Sequence, residues 1–185
     1  MKNNKTIICV TGLPGSGKSI FCKVGERSGY KIIVMGDQIR NQAKKRGLSN
    51  NAETLSKLMI ELRENEGKDI VAKLCLNEIQ LTKNYNIIID GIRNKEEIKL
   101  FKKIGNVSII LIESTTEQRI KFLQKRARSD APINYKSFNE RDKKELKIGL
   151  NSIINSADIT VSNINLTEKE FINKSKKILL RLIRE

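Results

Sequence analysis

The chain is 185 residues long, 38% hydrophobic and 31% charged, enough apolar material for one packed domain and too much for a disordered chain. It carries 36 basic against 21 acidic residues, a formal charge of +15, and no histidine, which excludes Ser-His-Asp, Cys-His and His-metal chemistry together. Three scattered cysteines (Cys9, Cys22 and Cys75) exclude a disulfide framework, and no run approaches the ~20 apolar residues that span a bilayer, so a cytoplasmic protein with no membrane association is expected.

From the N-terminus, residues 6–11 (TIICVT) open a series of five short, β-branched runs without polar alternation. That is the pattern of strands covered on both faces. The first leads into Gly12-Leu13-Pro14-Gly15-Ser16-Gly17-Lys18-Ser19, a G-x-x-x-x-G-K-[ST] sequence followed by a helix over 20–28. Its glycines let backbone N–H groups turn inward around phosphate oxygens, and the helix adds its N-terminal dipole. Lys18 is expected to reach the β- and γ-phosphates of ATP, and the Ser19 hydroxyl to ligate Mg²⁺.

The second strand, 31–35, runs into Met35-Gly36-Asp37-Gln38-Ile39-Arg40 at the start of a helix. The long stretch 36–84 before the third strand, Asn86–Asp90, is expected to be an acceptor-binding insertion. Asp90 ends its strand at the carboxyl edge of the sheet, beside the phosphate loop, and would hold Mg²⁺ directly or through water. Asp90-Gly91-Ile92-Arg93 repeats the pairing of Asp with Arg. Arg40 and Arg93 are therefore candidate forks for acceptor phosphate, and Asp37 is a candidate acceptor of a hydroxyl proton.

A fourth strand covers 107–112, and Thr115-Thr116-Glu117-Gln118 caps the helix after it. Residues 125–142, rich in Arg and Asp, are a candidate lid. A helix over 136–157 is expected to pack through Leu146, Leu150, Ile153 and Ile154, before a fifth strand at 158–161. Thr167-Glu168-Lys169-Glu170 is a second capping box, opening a last helix that buries Phe171, Ser175, Ile178, Leu179 and Leu182. The alternation predicts one domain over 1–185, a three-layer α/β P-loop NTPase fold on a five-stranded parallel sheet.

The phosphate loop, G-D-x-x-R after strand two and D-G-x-R after strand three resemble, in that order, adenylate kinase and other nucleoside monophosphate kinases, and also dephospho-coenzyme A kinase. The chain most resembles an archaeal P-loop family related to those two enzymes. That likeness spans essentially the whole chain, through Glu61-Leu62-Arg63 with Gly67, Arg126-Ala127-Arg128-Ser129-Asp130, and Arg141-Asp142 with Glu145-Leu146. It implies that Arg63 joins Arg40 and Arg93 in holding the acceptor, and that Arg126 and Arg128 close over ATP and neutralise the transferring phosphoryl group. Met35 stands where adenylate kinase has Ser or Thr, Asp90-Gly91-Ile92-Arg93 lacks that enzyme's proline, and Met35-Gly36-Asp37 replaces the Asp-Ala-Asp of dephospho-coenzyme A kinase. Ala131 replaces the second Asp of the archaeal family. Arg119 and Arg141 are weaker candidates for closing over ATP, the alternatives being that Arg119 faces solvent and Arg141 pairs with a neighbouring carboxylate.

The resulting expectation is an ATP- and Mg²⁺-dependent phosphotransferase of the nucleoside monophosphate kinase type, with a small phosphate-bearing acceptor that is nucleotide-like or dephospho-coenzyme-A-like. Asp37 acts as a base if the acceptor is a hydroxyl, and as an orienting group if it is a phosphate. The alternative is an adenylate-kinase-like ATPase working on RNA or ribonucleoprotein, with which the positive charge is compatible. Aromatic residues are only 4% of the chain and Trp is absent, so stacking platforms are scarce and nucleic acid is not the favoured partner. Of the 36 basic residues 25 are lysine, a composition that also reads as a genome-wide bias.

Overall fold

In a computed structural model, which describes residues 5–125 and 135–184, five parallel strands lie in the order β2-β3-β1-β4-β5. The central strand β1 (Lys5–Thr11) pairs with β3 (Asn86–Asp90) on one side and β4 (Gly105–Glu113) on the other. The outer strands are β2 (Lys31–Val34), against β3, and β5 (Ile159–Ser162), against β4. All five expected strands are present. β4 runs further at both ends than its apolar run, because β1 pairs with it from Gly105 and β5 pairs with it up to Glu113.

The two-residue period of the strands divides the core into two layers. Ile7 and Cys9 share one face with Ile33, Ile87, Ile89 and Ile109, beneath α2 (Met35–Lys45), α3 (Ala52–Glu66), α4 (Ile70–Leu81) and α5 (Lys95–Phe101). Ile8 and Val10 share the other with Ile88, Ile110, Ile112 and Val161, beneath α1 (Lys18–Arg27) and α9 (Glu168–Arg184). In α9, Phe171, Ser175 and Leu179 are fully buried, with Ile178 and Leu182 packed beside them, as the helical spacing requires. The three cysteines are free and buried.

Two local readings need revision. Met35 opens α2 instead of closing β2, because the ladder with β3 ends at the pair Val34 and Asp90. The insertion 36–84 is built of α2, α3 and α4. The expected helix over 136–157 is broken: α7 (Tyr135–Glu145) passes into a π turn (Leu146–Leu150) and then α8 (Asn151–Ile154). Gly149, at φ 128, makes the break, and Leu146 is left exposed while Leu150 and Ile153 are buried. Between β4 and α7 lies α6 (Thr116–Lys125). Of the candidate lid, residues 126–134, with Arg126 and Arg128, lie outside the described residues. Among the described residues no helix is long and apolar enough to cross a membrane.

Candidate active site

The register of the three strands on one side of the sheet gathers the sequence motifs. Val10, Asp90 and Val34 lie abreast across β1, β3 and β2. The chain leaves β1 into the phosphate loop, β3 into Gly91 and β2 into α2, all at the same edge. Gly91 N–H donates to the Val10 carbonyl at 3.1 Å, and the Thr11 hydroxyl to the Ile92 carbonyl at 3.1 Å. The loop after β3 is thereby laced to the start of the phosphate loop.

The phosphate loop is tight because nothing larger than glycine fits at two of its corners. A Cβ at Gly12, where φ is 138, would stand 2.4 Å from the Ile112 carbonyl oxygen; one at Gly15, where φ is 83, would stand 2.6 Å from that of Arg119. Gly17 is a left-handed N-cap with no side-chain cap for α1, which leaves the first N–H groups of that helix for a ligand. The Ser16 hydroxyl oxygen is buried and has no hydrogen-bond partner among the described residues. Lys18 donates to the loop's own carbonyls, Gly12 O at 2.6 Å and Leu13 O at 3.1 Å. Burial lowers the Lys18 pKa, against the opposing pull of Asp90 and Glu145. An orphaned hydroxyl, an uncapped helix start and a lysine turned over the loop fit a polyphosphate such as that of ATP.

The loop is braced from behind. Asn163, after β5, donates to the Ser16 carbonyl at 3.0 Å. Of the two readings of Arg119, the solvent-facing one fails, since the residue is 3% exposed. Its Nη1 donates to the Pro14 carbonyl at 3.1 Å, and Asp142 of α7 takes both terminal nitrogens, at 3.0 and 2.5 Å. The Phe138 ring lies 4.6 Å from the same guanidinium.

Ser19, in the first turn of α1, and Asp90, at the end of β3, supply a hydroxyl and a carboxylate, oxygen donors of the kind Mg²⁺ takes. Among the described residues no three His, Cys, Asp or Glu side chains gather as a metal site. A cation at these two residues would therefore complete its shell with phosphate oxygens and water.

Each arginine expected from the sequence to hold the acceptor has a carboxylate partner. Asp37 and Arg40 pair with each other along α2, and the Asp37 side chain is 58% exposed. Arg63 of α3 donates through Nη2 to Glu97 at 2.7 Å. That pair is buried, and Arg63 Nε and Nη1 have no partner among the described residues. Arg93 donates through Nε and Nη2 to Glu145 at 2.7 and 3.2 Å, and through Nη1 to the Gly91 carbonyl at 3.1 Å. The charge of Glu145 pushes the Arg93 guanidinium above its ordinary value, against burial. Burial alone would raise the Glu145 carboxyl; Arg93, helped by Lys18 and Arg141, outweighs that and holds it down to about 2.

Glu97 and Asn163 carry none of the sequence-based assignments, and Asp142 and Glu145 entered only within a family motif and, for Asp142, as the end of the candidate lid. Glu97 had a local signal. Asn94-Lys95-Glu96-Glu97 is a capping pattern, and both of its hydrogen bonds form at the start of α5.

Comparison with known proteins agrees with this architecture. A family model described as an AAA domain matches residues 11–139. Two archaeal relatives are each named UPF0200 protein. One, from Hyperthermus butylicus, is 33% identical over 179 residues, covering 97% of this chain and 96% of its own. The other, from Sulfurisphaera tokodaii, is 38% identical over 177 residues, covering 96% and 97%. Among solved structures, TT1252 from Thermus thermophilus superposes with a TM-score of 0.71 at 15% identity, over 96% of this chain and 97% of that one. Shikimate kinase from Acinetobacter baumannii, in complex with shikimate, gives 0.59 at 16% identity, over 98% and 94%. At these identities the two structures speak for the fold alone: a three-layer P-loop α/β domain.

Proposed function

We propose, for a chain that belongs to the UPF0200 family of archaeal P-loop proteins, that it is an ATP- and Mg²⁺-dependent phosphotransferase acting on a small nucleotide-like acceptor. The observation that supports this best is the common edge formed by Val10, Asp90 and Val34. It brings the starts of a phosphate loop and of two Asp-and-Arg motifs, with a strand-ending carboxylate, to one edge of the sheet, which supports a reading of transfer between two bound molecules.

In this reading the loop N–H groups and the Ser16 hydroxyl hold the donor phosphates, while Lys18 leaves the Gly12 and Leu13 carbonyls for the phosphate oxygens. Ser19 and Asp90 would hold Mg²⁺, which supplies charge neutralisation between phosphate oxygens. Arg40, Arg63 and Arg93 hold the acceptor. Asp37, solvent-exposed beside Arg40, takes the proton of a hydroxyl acceptor or orients a phosphate one. Arg126 and Arg128 add positive charge over the donor. Little covalent work is asked of the protein, so positioning and charge carry the rate.

The test is ADP release from Mg-ATP in the presence of AMP, CMP, UMP, GMP, dephospho-coenzyme A, nucleosides or total RNA. Stimulation by one small acceptor, lost in Lys18→Ala, is the expected result. Stimulation by RNA alone would replace this reading with a remodelling ATPase.

A further inference from the structure

We infer that Glu145 is a positioning residue: it grips one edge of the Arg93 guanidinium so that the other edge faces a phosphate group at the cleft. The inference rests on the phosphotransferase reading for the identity of that phosphate, and on geometry for the rest. A guanidinium carries five N–H donors in one plane. Glu145 takes the edge made by Nε and Nη2, and the Gly91 carbonyl takes one hydrogen of Nη1. Each terminal nitrogen carries two hydrogens and gives one to these acceptors, so among the described residues one hydrogen remains on each of Nη1 and Nη2. Two such donors can bind two oxygens of one phosphate group.

The backbone is arranged to hold this pair. Glu145 is the last residue of α7, immediately before the π turn, and such turns redirect side chains at functional sites. Within the turn, a Cβ on Gly149 would lie 3.0 Å from the Arg93 carbonyl oxygen and 3.2 Å from Asn94 Cβ, so the turn sits directly on the loop that carries Arg93. The main chain of Arg93 is fixed as well, its N–H donating to Glu97 Oε2 at 2.8 Å. Arg93 is thus held at its backbone and along one edge of its side chain, and the remaining hydrogens of its terminal nitrogens are left for a ligand. Glu145 and Arg93 also act electrostatically on Lys18, so the pair belongs to the same charge cluster as the phosphate loop. A stability role alone does not account for this investment, because a buried ion pair contributes little over an apolar pair of the same shape.

Two readouts test the assignment. With the acceptor found in the panel, Glu145→Gln is expected to lower kcat on the order of 10²-fold, the effect of a misplaced reacting group. Its ATP affinity by calorimetry should stay within about threefold, and Glu145→Asp should recover part of the rate. Independently of turnover, inorganic phosphate is titrated against the protein saturated with Mg-ADP and followed by phosphorus NMR. Phosphate binding should be lost in Arg93→Met and weakened about tenfold in Glu145→Gln, a loss of ~1.4 kcal/mol. If no acceptor stimulates turnover but these phosphate results hold, the kinase reading falls and the role of Glu145 stands. Phosphate binding lost in Arg93→Met but unchanged in Glu145→Gln overturns the inference, as does a rate loss that Glu145→Asp fails to rescue.

Discussion

Arg63 and Glu97 are the sharpest case at the residue scale. Glu97 is fully buried and accepts from Arg63, from the Arg93 main chain and from the Asn94 main chain. Replacing it with Gln keeps the shape and leaves a buried guanidinium without its counter-charge. Breaking a buried pair from one side costs about 3–5 kcal/mol, so Glu97→Gln should lower the urea midpoint by most of the margin of an ordinary domain. A loss below about 1 kcal/mol would mean that water reaches Arg63 and screens it. Glu145 gives a second expectation, in pH. Its carboxyl is held down to about 2 in the folded chain, below the ordinary value near 4.5. The stability it contributes is therefore complete above about pH 4.5 and is lost as pH falls toward about 2. Between those limits the stability measured by urea melts should fall more steeply with decreasing pH for the native protein than for Glu145→Gln.

At the scale of elements, the caps can be ranked. Thr167 and Glu170 close a reciprocal box at the solvent-exposed start of α9. Asn94 does the same for α5, and also donates from a buried position to the Lys68 carbonyl at 2.9 Å. Thr167→Ala should cost about 1 kcal/mol. Asn94→Ala should cost about 2 kcal/mol, because the part-buried bond to the Lys68 carbonyl is lost along with the cap. Paired urea melts check the order; equal losses would remove the contact to Lys68 from the argument. The same elements show how far the sequence was legible. Central parallel strands are apolar on both faces, so composition alone marks β1, β3 and β4. The phosphate loop is a local backbone device written in eight consecutive residues. The pairing of Arg63 with Glu97 and of Arg93 with Glu145 is not local: the partners are 34 and 52 residues apart. A sequence displays each arginine and hides what the fold sets against it. The break at Gly149 was hidden differently, since Leu150 and Ile153 keep a helical spacing across the turn that interrupts the helix.

For the molecule as a whole, the charge of +15 is a global term that individual ion pairs do not cancel. Several of the pairs are surface contacts, such as Lys57 with Glu53 and Arg46 with Glu61, and exposed pairs contribute little. The remaining positive charges repel one another most in the compact state. Raising ionic strength from about 0.01 M to about 0.15 M shortens the screening length from roughly 30 Å to roughly 8 Å. That range spans the distances between lysines on different faces of a domain this size, while the pairs at 2.7 Å between Arg63 and Glu97 and between Arg93 and Glu145 lie far inside it. Long-range repulsion should fall and the buried attractions should persist, so Tm should rise with salt. Calorimetry in sodium chloride measures this directly, without phosphate or nucleotide that would bind the loop. A Tm that falls with salt would show that surface attractions outweigh the net charge, and that the excess lysines are spread widely enough to cost the fold nothing. A rise would leave the same excess as a standing field over the surface, drawing anions toward the cleft at low salt.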